Sequence, residues 1–103
     1  MSELPTRDDF AQHLNSKFRV FFNDEQATET ELTEVTKLRL KPRYEAFAIT
    51  FLVPNDTPPE QRLYRVEHDA LGTHELFLVP FAQDEKGLYF EAVFNKPITP
   101  EDD

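Results

Sequence analysis

The chain has 103 residues, no cysteine, and 20 acidic against 11 basic side chains, for a formal net charge of −9. A chain of this length forms one domain, and we predict a single domain over residues 1–103. The charge disfavours nucleic acids and anionic membranes as partners, because both require a cationic surface. The missing cysteines exclude a disulfide framework, a thiol nucleophile and a zinc site built on thiolates.

The first predicted element is a short helix over residues 6–14. Thr6 is suited to cap it, and Asp9 stands in the acidic position of a capping box. Phe10 and Leu14 are four residues apart and therefore share one face. Such a short helix is not stable alone, so we expect it to dock on a β domain over residues 17–95.

Strands are predicted where apolar and polar residues alternate, or where aromatic and β-branched residues are concentrated. The clearest strand spans residues 46–53, and its shared face carries Phe47, Ile49, Phe51 and Val53. Further strands are predicted at 18–22, 63–68, 74–81 and 88–95. Turns or loops are predicted between them, at 23–25, 54–61, 69–72 and 83–87.

The segment 28–40 does not follow a period of two throughout. Leu32, Val35 and Leu38 are spaced in a way that a helix would also accommodate. Threonine recurs in this segment, at positions 28, 30, 33 and 36, and favours a strand. We therefore predict a bent strand with a bulge near Thr33–Thr36.

Together the elements predict a mainly β fold with a short N-terminal helix. About six strands with short connections are typical of a small antiparallel barrel or a two-layer sandwich. Residues 96–103 contain two prolines and three terminal acids, and are predicted to be a loose acidic tail. The chain starts without the basic and apolar regions of a signal peptide. It also lacks an apolar run near the ~20 residues of a membrane span, so we expect a cytoplasmic protein.

The residues carry no catalytic or cofactor-binding signature. Gly72 and Gly87 are the only glycines, so the usual phosphate-binding loops are excluded. A serine nucleophile needs an activating base, and the only serines, Ser2 and Ser16, lie at the N-terminal end and just after the predicted helix, so we do not expect a serine hydrolase. We predict a protein that is not an enzyme and takes no cofactor.

Histidines are common metal ligands. His68 and His74 flank a predicted turn, but their neighbours Glu67 and Glu75 point to the opposite face of a strand. We therefore predict no metal site, and expect His68 to hydrogen-bond the turn with His74 packed beside it. His13 is predicted to be a polar residue on the solvent side of the helix.

A basic stripe is the least ordinary pattern in the chain. It consists of Lys37, Arg39, Lys41 and Arg43, which would line one face of a strand. Two interpretations stay open. In the simpler one, acids on neighbouring strands, such as Glu67, Glu75 or Glu91, neutralise the stripe. In the other, the stripe is a docking surface for an acidic partner.

The chain resembles a family of short bacterial domains of unknown function, sometimes encoded near tail-collar-like (microcystin-dependent) proteins. The resemblance rests on Leu4-x-Thr6-x-x-Asp9-Phe10-x-x-x-Leu14-x-x-x-Phe18, Tyr64-Arg-Val-Glu-His68, Leu71-Gly72, Glu75-Leu-Phe-Leu-Val-Pro80 and Phe90-Glu-Ala-Val-Phe-Asn95. These positions are mostly core and turn residues, so the resemblance implies a shared fold. It also implies an accessory or assembly role, in a group related to phage tail fibres, and it transfers no catalytic residue.

The most economical prediction is a non-catalytic protein-interaction or assembly module. Its partner would be another protein or a second copy of the chain, with neither nucleic acid nor membrane involved. A barrel that binds a small apolar ligand is the alternative. Against that alternative, the interior of a small barrel is usually filled by its own side chains.

Overall fold

A computed structural model describes residues 4–22 and 25–97. In this part of the chain one helix, α1 (Arg7–Ala11), is followed by strands. They are β1 (Lys17–Phe21), β2 (Ala27–Val35), β3 (Arg39–Leu40), β4 (Tyr44–Val53), β5 (Arg62–His68), β6 (Gly72–Asp84) and β7 (Gly87–Pro97). Within the described residues no helix has the length and apolar character needed to cross a membrane.

Six of the strands close into an antiparallel barrel. Around the barrel the order is β1-β2-β4-β7-β6-β5, and β5 pairs with β1 to complete the circle. β3 lies outside this circle and pairs with the first residues of β4. The mainly β prediction is confirmed, and of the two predicted architectures the barrel is the correct one.

The predicted bent strand is present as β2 followed by β3. The register against β4 shifts between Leu32 and Glu34, so Thr33 is the bulged residue. The ladder is then interrupted at Thr36, whose N–H donates to the Ala48 carbonyl at 2.9 Å. The Thr36 hydroxyl accepts the Ala48 N–H at 2.8 Å, so a side chain replaces a backbone acceptor at this point. β3 resumes the pairing with Arg39 opposite Ala46.

Helix α1 begins as predicted but ends earlier. The capping box is present: Thr6 Oγ1 accepts from Asp9 N at 3.1 Å, and Asp9 Oδ2 accepts from Thr6 N at 2.9 Å. The helix stops at Ala11, and Asn15 adopts a positive φ of 70°. Its N–H donates to the Leu32 carbonyl at 2.7 Å, which turns the chain into β1. Leu14 is consequently exposed and does not share the buried face of Phe10.

The core consists of inward side chains of the barrel and one ring from the helix. Phe10 is 2% exposed and packs against Phe18, Phe47 and Phe94, with ring centroids 5.4–6.4 Å apart. The barrel interior is filled by residues with an exposed fraction of 2% or less, among them Val20, Leu32, Ile49, Phe51, Tyr64, Leu78 and Phe90. Each large apolar side chain buried in this way contributes about 1.5–3 kcal/mol relative to exposure.

The strand limits differ from prediction mainly at the hairpins. β6 is longer than the predicted 74–81, and only Glu85 and Lys86 separate it from β7. β7 extends to Pro97, so the first two residues of the predicted loose tail belong to a strand. The rest of that tail, and Asn23 and Asp24 of the predicted 23–25 turn, lie outside the described residues.

Candidate functional site

The four cations of the predicted stripe lie on a short projection from the barrel, here called the basic arm (residues 37–44). All four are exposed. Only Arg39 lies within a strand, because Lys37 precedes β3 while Lys41 and Arg43 lie between β3 and β4. The stripe is therefore not one continuous strand face, although its members stay together at one end of β4.

A tight turn holds the end of the arm. The Lys41 N–H donates to the Tyr44 carbonyl at 2.8 Å, which leaves Pro42 and Arg43 at the two central positions. Leu40 then lies opposite Glu45, and Arg39 lies opposite Ala46. The arm is thus a short hairpin between β3 and β4.

The strand pairing decides which way the arm residues face. Residues directly opposite each other in a ladder share a face, so Arg39 projects on the outer side with Ala46. Leu40 shares the face of Glu45. Glu45 is two residues before Phe47 on β4, so both lie on the inward side of that strand. Leu40 itself is 71% exposed.

The cations of the arm have no acidic partner among residues 4–22 and 25–97: none of the four makes an ion pair or a side-chain hydrogen bond there. Three other cations, all arginines, do make ion pairs: Arg7, Arg19 and Arg62. Arg19 contacts Glu67 at 3.2 Å and Asp69 at 3.1 Å, so Glu67 serves β1 and not the arm. The neutralised-stripe interpretation thus has no ion pair to support it in the described part of the chain.

A shallow groove of about 220 Å³ runs beside the arm on the outer face of the barrel. Ala46 and Ala48 contribute to its lining, with Arg39 from β3 and Val93 and Glu91 from β7. Ala46 and Ala48 project little from β4, and the longer side chains of the neighbouring strands stand above them. Val93 is 59% exposed, so apolar surface lies close to an unpaired guanidinium.

The arm itself also exposes apolar side chains. Leu38 and Tyr44 are 42% and 41% exposed, beside the still more exposed Leu40. Aromatic and arginine side chains are enriched in the residues that dominate protein interfaces. The arm thus presents exposed cations and exposed apolar side chains side by side.

A second cluster, which the sequence did not indicate, joins the segment after α1 to the end of β5. His68 Nε2 lies 3.0 Å from Ser16 Oγ, and the rings of His68 and His13 lie 4.6 Å apart. His13, predicted to face solvent, is therefore half-buried against another imidazole. Ser16 and His68 are 52 positions apart, so no local spacing could have brought them together.

The hydrogen bonds of His68 decide what this cluster can do. Its Nδ1 accepts from the backbone N–H groups of Ala70 at 3.0 Å and Leu71 at 3.3 Å. In the neutral ring the proton then sits on Nε2, which donates to Ser16 Oγ. The Ser16 hydroxyl in turn donates to the His13 carbonyl at 2.5 Å. His68 is thus not placed to take the hydroxyl proton, and the pair lacks the arrangement of a nucleophile and its base.

His68 orders its turn as predicted, and His74 Nε2 bonds the Leu71 carbonyl in the same turn at 2.7 Å. Burial, and then the charge of His13, lower the pKa of His68. No group of three or more potential metal ligands occurs in the part of the chain that the structure covers.

Comparison with known proteins identifies the family. A family model described as "Domain of unknown function (DUF6916)" matches residues 5–94. That range contains the capping box, every barrel strand at least in large part, the histidine cluster and the whole basic arm. Neither the search of curated proteins nor the search of solved structures returned a match. Because the match covers most of its length, the chain belongs to the DUF6916 family of domains of unknown function.

Proposed function

We propose that this domain is a non-catalytic interaction module that docks an acidic segment of a partner protein on the basic arm. The observation that carries the proposal is the set of four exposed cations without an ion pair among the described residues. Cations that serve the fold of this protein, such as Arg19, reach carboxylates instead. Cations left uncompensated are available to a partner.

The charge distribution supports a specific orientation of that partner. The chain carries a net charge of −9, so the surface away from the arm is strongly acidic. An acidic partner would be repelled by most of the molecule and attracted at the arm, where four exposed cations lie within seven residues of the chain. Charge complementarity of this kind contributes more to the rate and specificity of association than to raw affinity.

The same charges disfavour a symmetric contact between two copies. A two-fold contact places the same patch of each copy together, and two basic arms would then face each other with their cations unpaired. Like charges brought together in an interface cost several kcal/mol. A different, acidic protein is therefore the partner that we propose.

An assembly role agrees with the family resemblance. The bacterial domains that the chain resembles are sometimes encoded near tail-collar-like proteins, so we propose a component of such a phage-tail-like system as the partner. The module would act in the cytoplasm without a cofactor, a nucleic acid or a membrane. The apolar-ligand alternative is less favoured, since side chains such as Phe51 and Phe90 already fill the barrel interior.

The test compares two triple variants that change the net charge equally. R39E/K41E/R43E reverses the arm, while K17E/K86E/K96E reverses exposed cations elsewhere. Each protein is used to capture partners from the native host, and the captured proteins are identified by mass spectrometry. We expect an acidic protein that is retained by the wild type and by the control but lost by the arm variant. Equal retention by both variants would remove the arm from the proposal.

A further inference from the structure

The basic arm ends in a strand with one unpaired edge. β3 is the last strand in the sheet order, and only β4 pairs with it among the described residues. The corresponding edge of β2 is covered by β1 up to Glu31. Farther along, the Thr36 carbonyl accepts from Arg7 Nε at 2.9 Å. The free edge therefore begins after Thr36, within the arm.

The ladder indicates which backbone groups that edge presents. The Lys41 N–H donates to the carbonyl of Tyr44, its opposite residue, and in an antiparallel ladder positions bonded in this way alternate with non-hydrogen-bonded pairs. Leu40 and Glu45 form the next pair and are thus of the non-hydrogen-bonded kind. The N–H and C=O of Leu40 then point away from β4. An extended segment laid along β3 would meet them directly.

Unpaired edges are a hazard, because they invite pairing with other chains. Charged side chains, lysine above all, are a common protection of such edges. Here the protection is selective: the cations of a second arm would be repelled, whereas a strand bearing carboxylates would be attracted. The charges that keep two copies of β3 apart therefore admit one class of strand.

From these observations we infer that the partner segment adds to β3 as an extra antiparallel or parallel strand, with acidic and apolar residues alternating along it. The inference rests on the proposed function and specifies how the partner segment binds and which side chains it carries. Acidic side chains would lie on the outer face, next to Arg39 and Lys41. Apolar side chains would lie on the other face, next to Leu40. Binding of acidic side chains in the groove over Ala46 and Ala48, without backbone pairing, is the rival outcome.

The first test uses a short labelled peptide of alternating Glu and Val, measured by fluorescence anisotropy at low ionic strength. Two isomers are compared with it, one N-methylated on every Glu and the other on every Val. Amides of successive residues point to opposite edges of a strand, so only one isomer loses the N–H groups that would face β3. We expect that isomer to bind at least about tenfold more weakly, because each lost hydrogen bond reduces the binding free energy and methyl groups facing β3 prevent close pairing. The other isomer should bind like the unmethylated peptide.

The outcomes separate this inference from the proposed function. If both isomers bind as well as the parent peptide, and R39E/K41E/R43E abolishes binding, strand addition is wrong while acidic docking at the arm stands. Failure of the parent peptide to bind the wild type also overturns the inference, and leaves the proposed function to the capture experiment. Equal weakening of both isomers argues against a single paired edge and counts against strand addition.

A matched pair of protein variants tests the same edge from the other side. L40P removes the N–H that points away from β4, whereas L40A keeps it and shortens the same side chain. We expect L40P to lose at least about tenfold more peptide affinity than L40A, with both folded by circular dichroism. Equal affinity of two folded variants would contradict strand addition. Should L40P fail to fold, the two methylated peptides still decide the question.

Discussion

The side chain of Ser16 lies 3.0 Å from Nε2 of His68 and joins the segment after α1 to the end of β5. Both groups are at least half-buried, and each has a second hydrogen-bond partner in the backbone. The pair therefore stabilises the junction between helix and barrel. Its contribution to the stability of the fold can be measured.

Replacing Ser16 by Ala should lower the free energy of unfolding by about 1–2 kcal/mol, because the His68 Nε2–H loses its partner in a half-buried site. Urea denaturation followed by circular dichroism measures the change. The neighbouring exposed Lys17→Ala serves as the control and should change stability by less than about 0.5 kcal/mol. Hydrolysis of an activated ester by the wild type, lost in S16A, would instead indicate a nucleophilic serine.

Stability should decrease on mild acidification because of His68. Its pKa in the folded protein lies below the ordinary value of 6.5, owing to burial and to His13. The unfolded chain therefore takes up the proton first, so the contribution is complete above about pH 6.5 and is lost as the pH falls toward the folded pKa. Urea denaturation at about pH 7.5 and pH 5 measures the loss.

Two variants isolate this contribution from the titration of carboxylates. In H68N an amide oxygen can replace Nδ1 as acceptor of the turn N–H groups, but no group titrates near neutral pH. H13Q removes the neighbouring charge and should reduce the pH dependence in part. If H68N loses as much stability as the wild type between the two pH values, another group is responsible.

The two glycines should respond differently to substitution by Ala. Gly87 has a φ of 155°, and a Cβ there would collide with the Val53 carbonyl oxygen and lie 2.8 Å from Leu52 Cδ1. Gly72 has a φ of 85°, but its nearest neighbour in the direction of a Cβ is His74 Nε2 at 3.9 Å. We expect G72A to cost about 1–2 kcal/mol through backbone strain alone, and G87A to cost more, through strain and overlap.

Thermal and urea unfolding of the two variants give the comparison. The measurement tests which of the two substitutions costs more stability, since each glycine is the first residue of a strand that follows a hairpin turn. An equal or smaller loss in G87A would show that β4 can move away from the β6–β7 hairpin without penalty.

Reversal of the arm charges should leave the fold intact. Arg39, Lys41 and Arg43 are exposed and have no ion pair within residues 4–22 and 25–97, so R39E/K41E/R43E should change stability by less than about 1 kcal/mol. Arg19→Ala, which removes contacts to Glu67 and Asp69, is the comparison for a cation that does serve the fold. Unfolding of the arm variant would show that its cations have partners inside the monomer, and the docking surface would then be rejected.

Much of the local structure follows from residues that are close in the sequence. The capping box depends on Thr6 and Asp9 alone, and the buried face of β4 follows from the alternation that includes Ile49 and Phe51. The spacing of the four arm cations also indicates that they lie close together. Such features are determined by the local sequence, because a capping box joins residues three positions apart and a strand face recurs every second residue.

Other features required the tertiary structure, because they depend on segments far apart in the chain. The helix ends at Ala11 partly because Asn15 bonds to Leu32, and Ser16 meets His68 only when β1 and β5 are paired. Barrel closure depends on the pairing of β2 with β4. The alternating pattern of the sequence does not specify this pairing, because it is equally compatible with a sandwich. Cations occur at every second position from 37 to 43. Whether acidic side chains neutralise them depends on which strands become neighbours in the barrel. That choice is made by the packing of the whole barrel, since no local period specifies the strand on the other side.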